Sequence, residues 1–120
     1  MGTDRDTCEL LCLDLAKAER VRRELPALDV LEASAARLKA LTDPTRLALL
    51  LALRDGACCV CDLGWIVARD EKLVSHHVRL LKGLGVVRSR RDGRMVMYEL
   101  TDAGQALVEA FSATQTLSVR

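Results

Sequence analysis

The chain has 120 residues, half of them apolar and 29% charged, a length and balance that fit one globular domain and exclude a disordered segment. Eighteen Lys and Arg stand against 17 Asp and Glu, so a globally basic nucleic-acid binder is excluded, though a basic face is not. With one Trp, one Tyr and one Phe, the core must be built mainly from Leu, Val and Ala.

The polar N-terminus and the lack of any apolar run of membrane-spanning length point to a cytoplasmic protein with no membrane partner. In that compartment the five cysteines (Cys8, Cys12, Cys58, Cys59 and Cys61) favour metal or redox chemistry over disulfides. Charge is unevenly spread. Residues 1–35 hold five basic and eight acidic side chains, whereas residues 72–94 hold seven basic ones against Asp92 alone. Clustered in so short a stretch, those cations suggest a phosphate-facing patch.

In chain order, residues 8–25 read as a helix that Pro26 ends, preceded by an arm without caps. Val30 to Leu41 shows Leu31, Ala35, Leu38 and Leu41 at helical spacing. In TDPTRLALLLALRDG, Asp43 is a cap, Pro44 a first helical residue and Asp55-Gly56 a stop, and the helix between them is apolar nearly all round and so central. Residues 60–69 make a short helix, Asp70-Glu71 a turn, and residues 72–84 a further helix. That last helix places Val74, His77, Val78, Leu81 and Leu84 on one side and Ser75, His76, Arg79 and Lys82 on the other. Two short helices of this kind form a helix-turn-helix whose second member is a recognition helix. His77 is then expected to be a hydrogen-bonded core residue and His76 a DNA contact. Trp65 reads as packing, and Met95 and Met97 need no sulfur chemistry.

Val86-Val87 and Met95 to Leu100 flank Asp92-Gly93, a hairpin signal, which makes a wing with Arg90, Arg91 and Arg94 at its tip. Thr101 and Asp102 introduce a last helix to about residue 114, with Leu107, Ala110 and Phe111 as its apolar stripe. The fold class expected is mainly α with a β-hairpin wing: a winged helix-turn-helix with extra N- and C-terminal helices.

Residues 57–63, ACCVCDL, concentrate three cysteines in four positions. On a regular helix Cys59 and Cys61 point about 200° apart, while Cys58 and Cys61 share a face. Either Cys58 and Cys61 are the pair, or Cys59 and Cys61 lie where the chain is only entering a helix.

TDPTR (42–46), CVCDL (59–63), SHHVRLLKGLGVV (75–87) and DGRMVMYEL (92–100) together make the chain resemble the ArsR/SmtB family of metal-responsive repressors. DTCELLC (6–12) makes it most similar to the CadC-like cadmium and lead sensors. The resemblance implies a homodimer that binds double-stranded operator DNA without metal and releases it when metal binds. The implied ligands are Cys59 and Cys61, at a helix start where an i, i+2 pair can converge, joined by Cys8 and Cys12 from the arm of the other protomer. The implied inducer is Cd(II) or Pb(II), with Zn(II) a further candidate. The DNA face comprises Lys72, Ser75, His76, Arg79, Lys82, Arg90, Arg91 and Arg94. The chain then divides into a ligand-bearing arm and helix (1–28), a DNA-binding and dimerisation domain (29–114) and a tail (115–120).

Two features depart from the family. The second site that its zinc sensors carry on the last helix has no counterpart here, since Asp102 precedes Ala103 and Gly104 and residues 101–120 hold no histidine. Cys58 stands where relatives usually have an apolar residue, and reads as core. The chief alternatives are a repressor responding to As(III), or to thiol oxidation or persulfides, on the same scaffold. A structural zinc module is a weaker one, and an enzyme is not expected, because no His–Asp pair partners a cysteine.

Overall fold

The structure, a computed structural model, describes residues 13–115. Its elements run α1 (Leu15–Glu24), α2 (Leu28–Leu38), a 3-10 turn (Lys39–Thr42), α3 (Pro44–Ala52), a second 3-10 turn (Leu53–Asp55), α4 (Val60–Val67), α5 (Glu71–Gly83), β1 (Val87–Asp92), β2 (Met95–Leu100) and α6 (Asp102–Gln115). The chain divides into two compact units, one up to Leu31 and one from Glu32 on.

In the first unit, Asp14 caps α1 by accepting the Lys17 N–H at 3.1 Å, and Leu15 is the first helical residue; the part of the expected helix over residues 8–12 lies outside the described residues. Neither α1 nor α2 buries a side chain, and Leu15, Val21, Leu25, Leu28 and Leu31 are all exposed.

The second unit is organised around α3. Asp43 accepts the Arg46 N–H at 3.0 Å and Pro44 follows as the first helical residue, as expected from TDPTR. Leu49, Leu50 and Leu53 are buried, and against them pack Leu63 of α4, Val74, Val78 and Leu81 of α5, Val86 and Val87 beside the wing, and Leu107 and Val108 of α6. Each such side chain contributes about 1.5–3 kcal/mol on burial, so this cluster fixes how the recognition helix α5 sits.

The turn between α4 and α5 differs from expectation. Ala68 takes a left-handed conformation (φ 58°) to end α4, and Asp70 is no turn residue but the cap of α5. Its carboxylate accepts from Lys72 N–H at 2.6 Å and Leu73 N–H at 3.1 Å, drawing Glu71 into the helix. At the other end Gly85 (φ 80°) closes α5: its N–H reaches the Lys82 carbonyl and Val86 N–H the Leu81 carbonyl. That double bond needs a left-handed residue, which glycine supplies without strain.

β1 and β2 pair antiparallel with Val87 opposite Leu100, Arg88 opposite Glu99 and Asp92 opposite Met95. The two-residue turn is therefore Gly93-Arg94, not Asp92-Gly93. Gly93 (φ 65°) stands at its first central position, the place that a II′ turn reserves for glycine. Arg94 alone sits in the turn, while Arg90 and Arg91 lie within β1.

Thr101 caps α6, accepting the Gly104 N–H at 3.2 Å and donating to the Gly85 carbonyl at 2.6 Å. The buried stripe of α6 is Gly104, Leu107 and Val108. Ala110 is exposed and Phe111 only half-buried, so of the apolar stripe Leu107, Ala110 and Phe111 only Leu107 enters the core of this chain. Trp65 is likewise not packing: α4 buries Leu63 and Gly64, leaving Trp65 86% exposed.

His77 occupies the back of α5 as expected, at 9% exposure, but its Nδ1 has no hydrogen-bond partner. Burial holds its imidazole below the ordinary value, against the pull of Asp43, with Arg46 and His76 adding repulsion. A depressed folded-state pKa means that the unfolded chain binds the proton more readily. Stability should therefore be level above about pH 6.5 and fall as pH drops below it, and His77→Leu should flatten that fall in urea unfolding between pH 7.5 and 5.

Gly104 is set by space. A Cβ there would collide with the Val86 carbonyl oxygen and crowd Leu100 Cδ2 at 3.1 Å. Gly104→Ala should cost about 1–3 kcal/mol of unfolding free energy by denaturant titration, because the obstacle is backbone and cannot rotate away.

Candidate functional site

Two surfaces carry the residues singled out by the sequence. The first begins at the segment before α4. Cys58 pairs with Tyr98 through two backbone hydrogen bonds, its N–H to the Tyr98 carbonyl at 3.0 Å and the Tyr98 N–H to its carbonyl at 2.8 Å. The segment is thus held extended along β2, and Cys59, the cap of α4, keeps extended backbone (φ −87°, ψ 170°). Cys59 and Cys61 are consequently not separated by a regular helical step. Both line one open depression of about 610 Å³, whose remaining wall is Val60 with Arg94, Met95, Val96 and Tyr98 of the wing.

Cys58 is half-buried, packs against the core and lies outside that lining, as a packing residue should. Burial pushes its thiol up, with help from Asp62 and Cys59. Cys61 is exposed, and a hydrogen bond to the Glu71 carboxylate, followed by that group's charge, raises its thiol too. Glu71 opens the recognition helix, a neighbour that the linear sequence does not announce. Cys8 and Cys12 lie outside the described residues. Among the described residues, no group of three or more His, Cys, Asp or Glu side chains gathers in a metal-holding arrangement.

The second surface is the front of α5 with the wing. Lys72, His76, Arg79 and Lys82 are exposed and Ser75 half-buried, on the side opposite Val74, His77, Val78 and Leu81. The wing arginines divide. Arg88 Nε donates to Glu99 Oε2 at 2.7 Å and Arg90 Nε to Glu99 Oε1 at 3.3 Å. These are the ion pairs among the described residues; Arg91 and Arg94 are exposed and enter neither. Arg88 first and Arg90 second hold the Glu99 carboxyl below the usual carboxylate range. Lys82 Nζ reaches Ser89 Oγ at 2.8 Å, tying the recognition helix to β1. Sequence reasoning missed Glu99, Ser89 and Tyr98. The signal that reveals all three is the hairpin register.

Comparison with known proteins bears on the family and the fold. The family model described as bacterial regulatory protein, arsR family, matches residues 43–89, from the cap of α3 into β1. The chain is 34% identical over 99 residues to a cadmium resistance transcriptional regulatory protein, a CadC homolog, of Staphylococcus aureus, covering 82% of this chain and 81% of that one. It is 38% identical over 95 residues to a transcriptional repressor SmtB homolog of Synechocystis, covering 79% and 72%. Among solved structures, the homodimeric winged helix-turn-helix DNA-binding domain of a possible ArsR-family regulator from Mycobacterium bovis matches with a TM-score of 0.65 and 27% identity, over 74% of this chain and 81% of that one. Both of these curated relatives carry the names of transcriptional regulators. On its sequence, its wing and its recognition helix alike, the chain belongs to the arsR family of bacterial regulatory proteins.

Proposed function

We propose that the protein is a homodimeric repressor that binds operator DNA through α5 and the wing, and lets it go when a thiophilic metal ion, Cd(II) or Pb(II) and secondarily Zn(II), is taken up by cysteine thiolates. The observation that carries this reading is the shared depression: Cys59 and Cys61 open into it, and its opposite wall is the wing that the DNA would touch.

The donor chemistry fits such an ion. Two soft sulfurs on one lining suit thiophilic metals better than harder ones, and a bound ion supplies a rigid link among thiolates that lose their protons to it. Two donors leave a three- or four-coordinate site incomplete. Cys8 and Cys12 of the partner protomer complete it on this reading, in agreement with the CadC name of the relative at 34% identity. The exposed apolar side chains of α1 and α2 (Leu15, Val21, Leu25, Leu28 and Leu31) support a dimer, because a lone chain leaves them in water.

On the DNA side, Lys72, Arg79, Arg91 and Arg94 are the free cations that meet phosphates, and Ser75 and His76 face base edges from the front of α5. Lys82 and Arg90 belong to the same surface but are engaged within the protein by Ser89 and Glu99.

The test is operator binding, on a site selected from random duplexes by the metal-free protein, titrated with Cd(II), Pb(II), Zn(II) and As(III). Wild type should lose affinity by about 5–150-fold with its inducer. Cys59→Ser, Cys61→Ser and Cys8→Ser should bind metal-free DNA normally yet fail to release it, while Cys58→Ser stays inducible. Release by mild oxidant and none by metal would identify a thiol-redox sensor instead.

A further inference from the structure

We propose that Glu99 is an internal competitor for the wing arginines: it keeps Arg88 and Arg90 off DNA phosphates and so limits how tightly, and how indiscriminately, the metal-free protein binds DNA. The inference rests on the reading of α5 and the wing as the DNA surface, and adds to it a residue that restrains binding.

The geometry is that of a preformed clamp. Arg88 lies directly opposite Glu99 in the β1–β2 register, and Arg90, opposite Met97, lies diagonal to it on the same face of the hairpin. Each arginine uses its Nε on a different oxygen of the one carboxylate, at 2.7 and 3.3 Å. Glu99 is the least exposed of the three, its side chain 26% accessible against 59% and 51% for the arginines. The opposite face of the hairpin carries Val87 and Leu100 toward the core, so the clamp side chains cannot turn inward. The wing's four arginines thus fall into two kinds. Arg91 and Arg94, near and in the turn, keep their full charge for a phosphate. Arg88 and Arg90 share one counter-charge that is built into the neighbouring strand.

A phosphate that recruits Arg88 or Arg90 must either take it from Glu99 or bind its remaining N–H groups beside the Glu99 carboxylate, whose charge repels the phosphate. Backbone contacts of this kind supply the sequence-independent part of DNA affinity and are read out by its salt dependence, at about 0.9 in the log–log slope for each phosphate neutralised. Holding two arginines back lowers that sequence-independent part and leaves discrimination to the front of α5.

The experiment measures binding of the full-length, metal-free protein to its selected operator and to an unrelated duplex across salt concentrations. Glu99→Gln, which keeps the shape and removes the charge, should tighten binding to both duplexes and steepen the slope by about 0.9 for each arginine released. Arg88→Gln and Arg90→Gln should change the slope little in wild type but return it toward the wild-type value in the Glu99→Gln background. A merely structural role for Glu99 would instead weaken binding, and a general loss of negative charge would give the arginine substitutions equal effects in both backgrounds. Either result overturns the proposal, as does a reduced slope for Arg90→Gln in wild type. Arg91→Ala with Arg94→Ala separates the two readings: a lowered slope there upholds the wing as a DNA contact whatever Glu99 does, and an unchanged one removes the basis of both.

Discussion

Two backbone hydrogen bonds between Cys58 and Tyr98 decide where Cys59 and Cys61, the ligands proposed for a thiophilic ion, stand in the fold. They lay the segment before α4 along β2 and so continue the wing's hydrogen bonding by one residue pair. Each bond nets only about 0.5–1.5 kcal/mol, but together they fix position. With Cys58 held extended, Cys59 becomes the cap of α4 and Cys61 its second residue, and both open toward the strand that Tyr98 belongs to. Cys58 serves this arrangement through its main chain, while its side chain packs against the core.

The same bridge makes the cysteine segment and the wing parts of one structure. The wing is joined to α5 by the Lys82–Ser89 hydrogen bond, and α5 carries Glu71 at its start, against the Cys61 thiol. A change at Cys59 and Cys61 therefore meets the elements proposed to face DNA at two places, through β2 and through the first turn of α5. Such a contact gives a ligand a physical means of favouring one arrangement of wing and recognition helix over another, which is what a coupling free energy between sites requires.

Much of this was legible in the residues. Asp43-Pro44, the apolar back of α5 and the β-rich runs around residue 93 specify their elements by local chemistry, and the structure has all of them. What escaped was set by register and by competition among faces. Asp92-Gly93 and Gly93-Arg94 are both acceptable hairpin turns, and the choice between them slides β2 by two residues against β1. With the first, Arg88 would face Met97; with the second it faces Glu99, and the clamp exists. In α4 the apolar residues outnumber the positions that can be buried, so Leu63 goes inward and Trp65 outward, a choice that only the tertiary packing makes. Asp70 could open a turn or cap a helix, and the two N–H groups waiting at Lys72 and Leu73 select the cap.

The cysteine pair was ambiguous for a similar reason: spacing alone favours Cys58 with Cys61, and only the extended backbone imposed by Tyr98 makes Cys59 and Cys61 neighbours of one depression. The central claim is that uptake of a thiophilic ion there and grip on DNA oppose one another, and linkage makes that claim reciprocal. It is tested most directly by titrating Cd(II) into the protein alone and into its operator complex, following the thiolate-to-metal absorption band. The account predicts that DNA weakens Cd(II) binding by the same factor by which Cd(II) weakens DNA binding, about 5–150-fold. Equal Cd(II) affinity in the free protein and in the complex would contradict it.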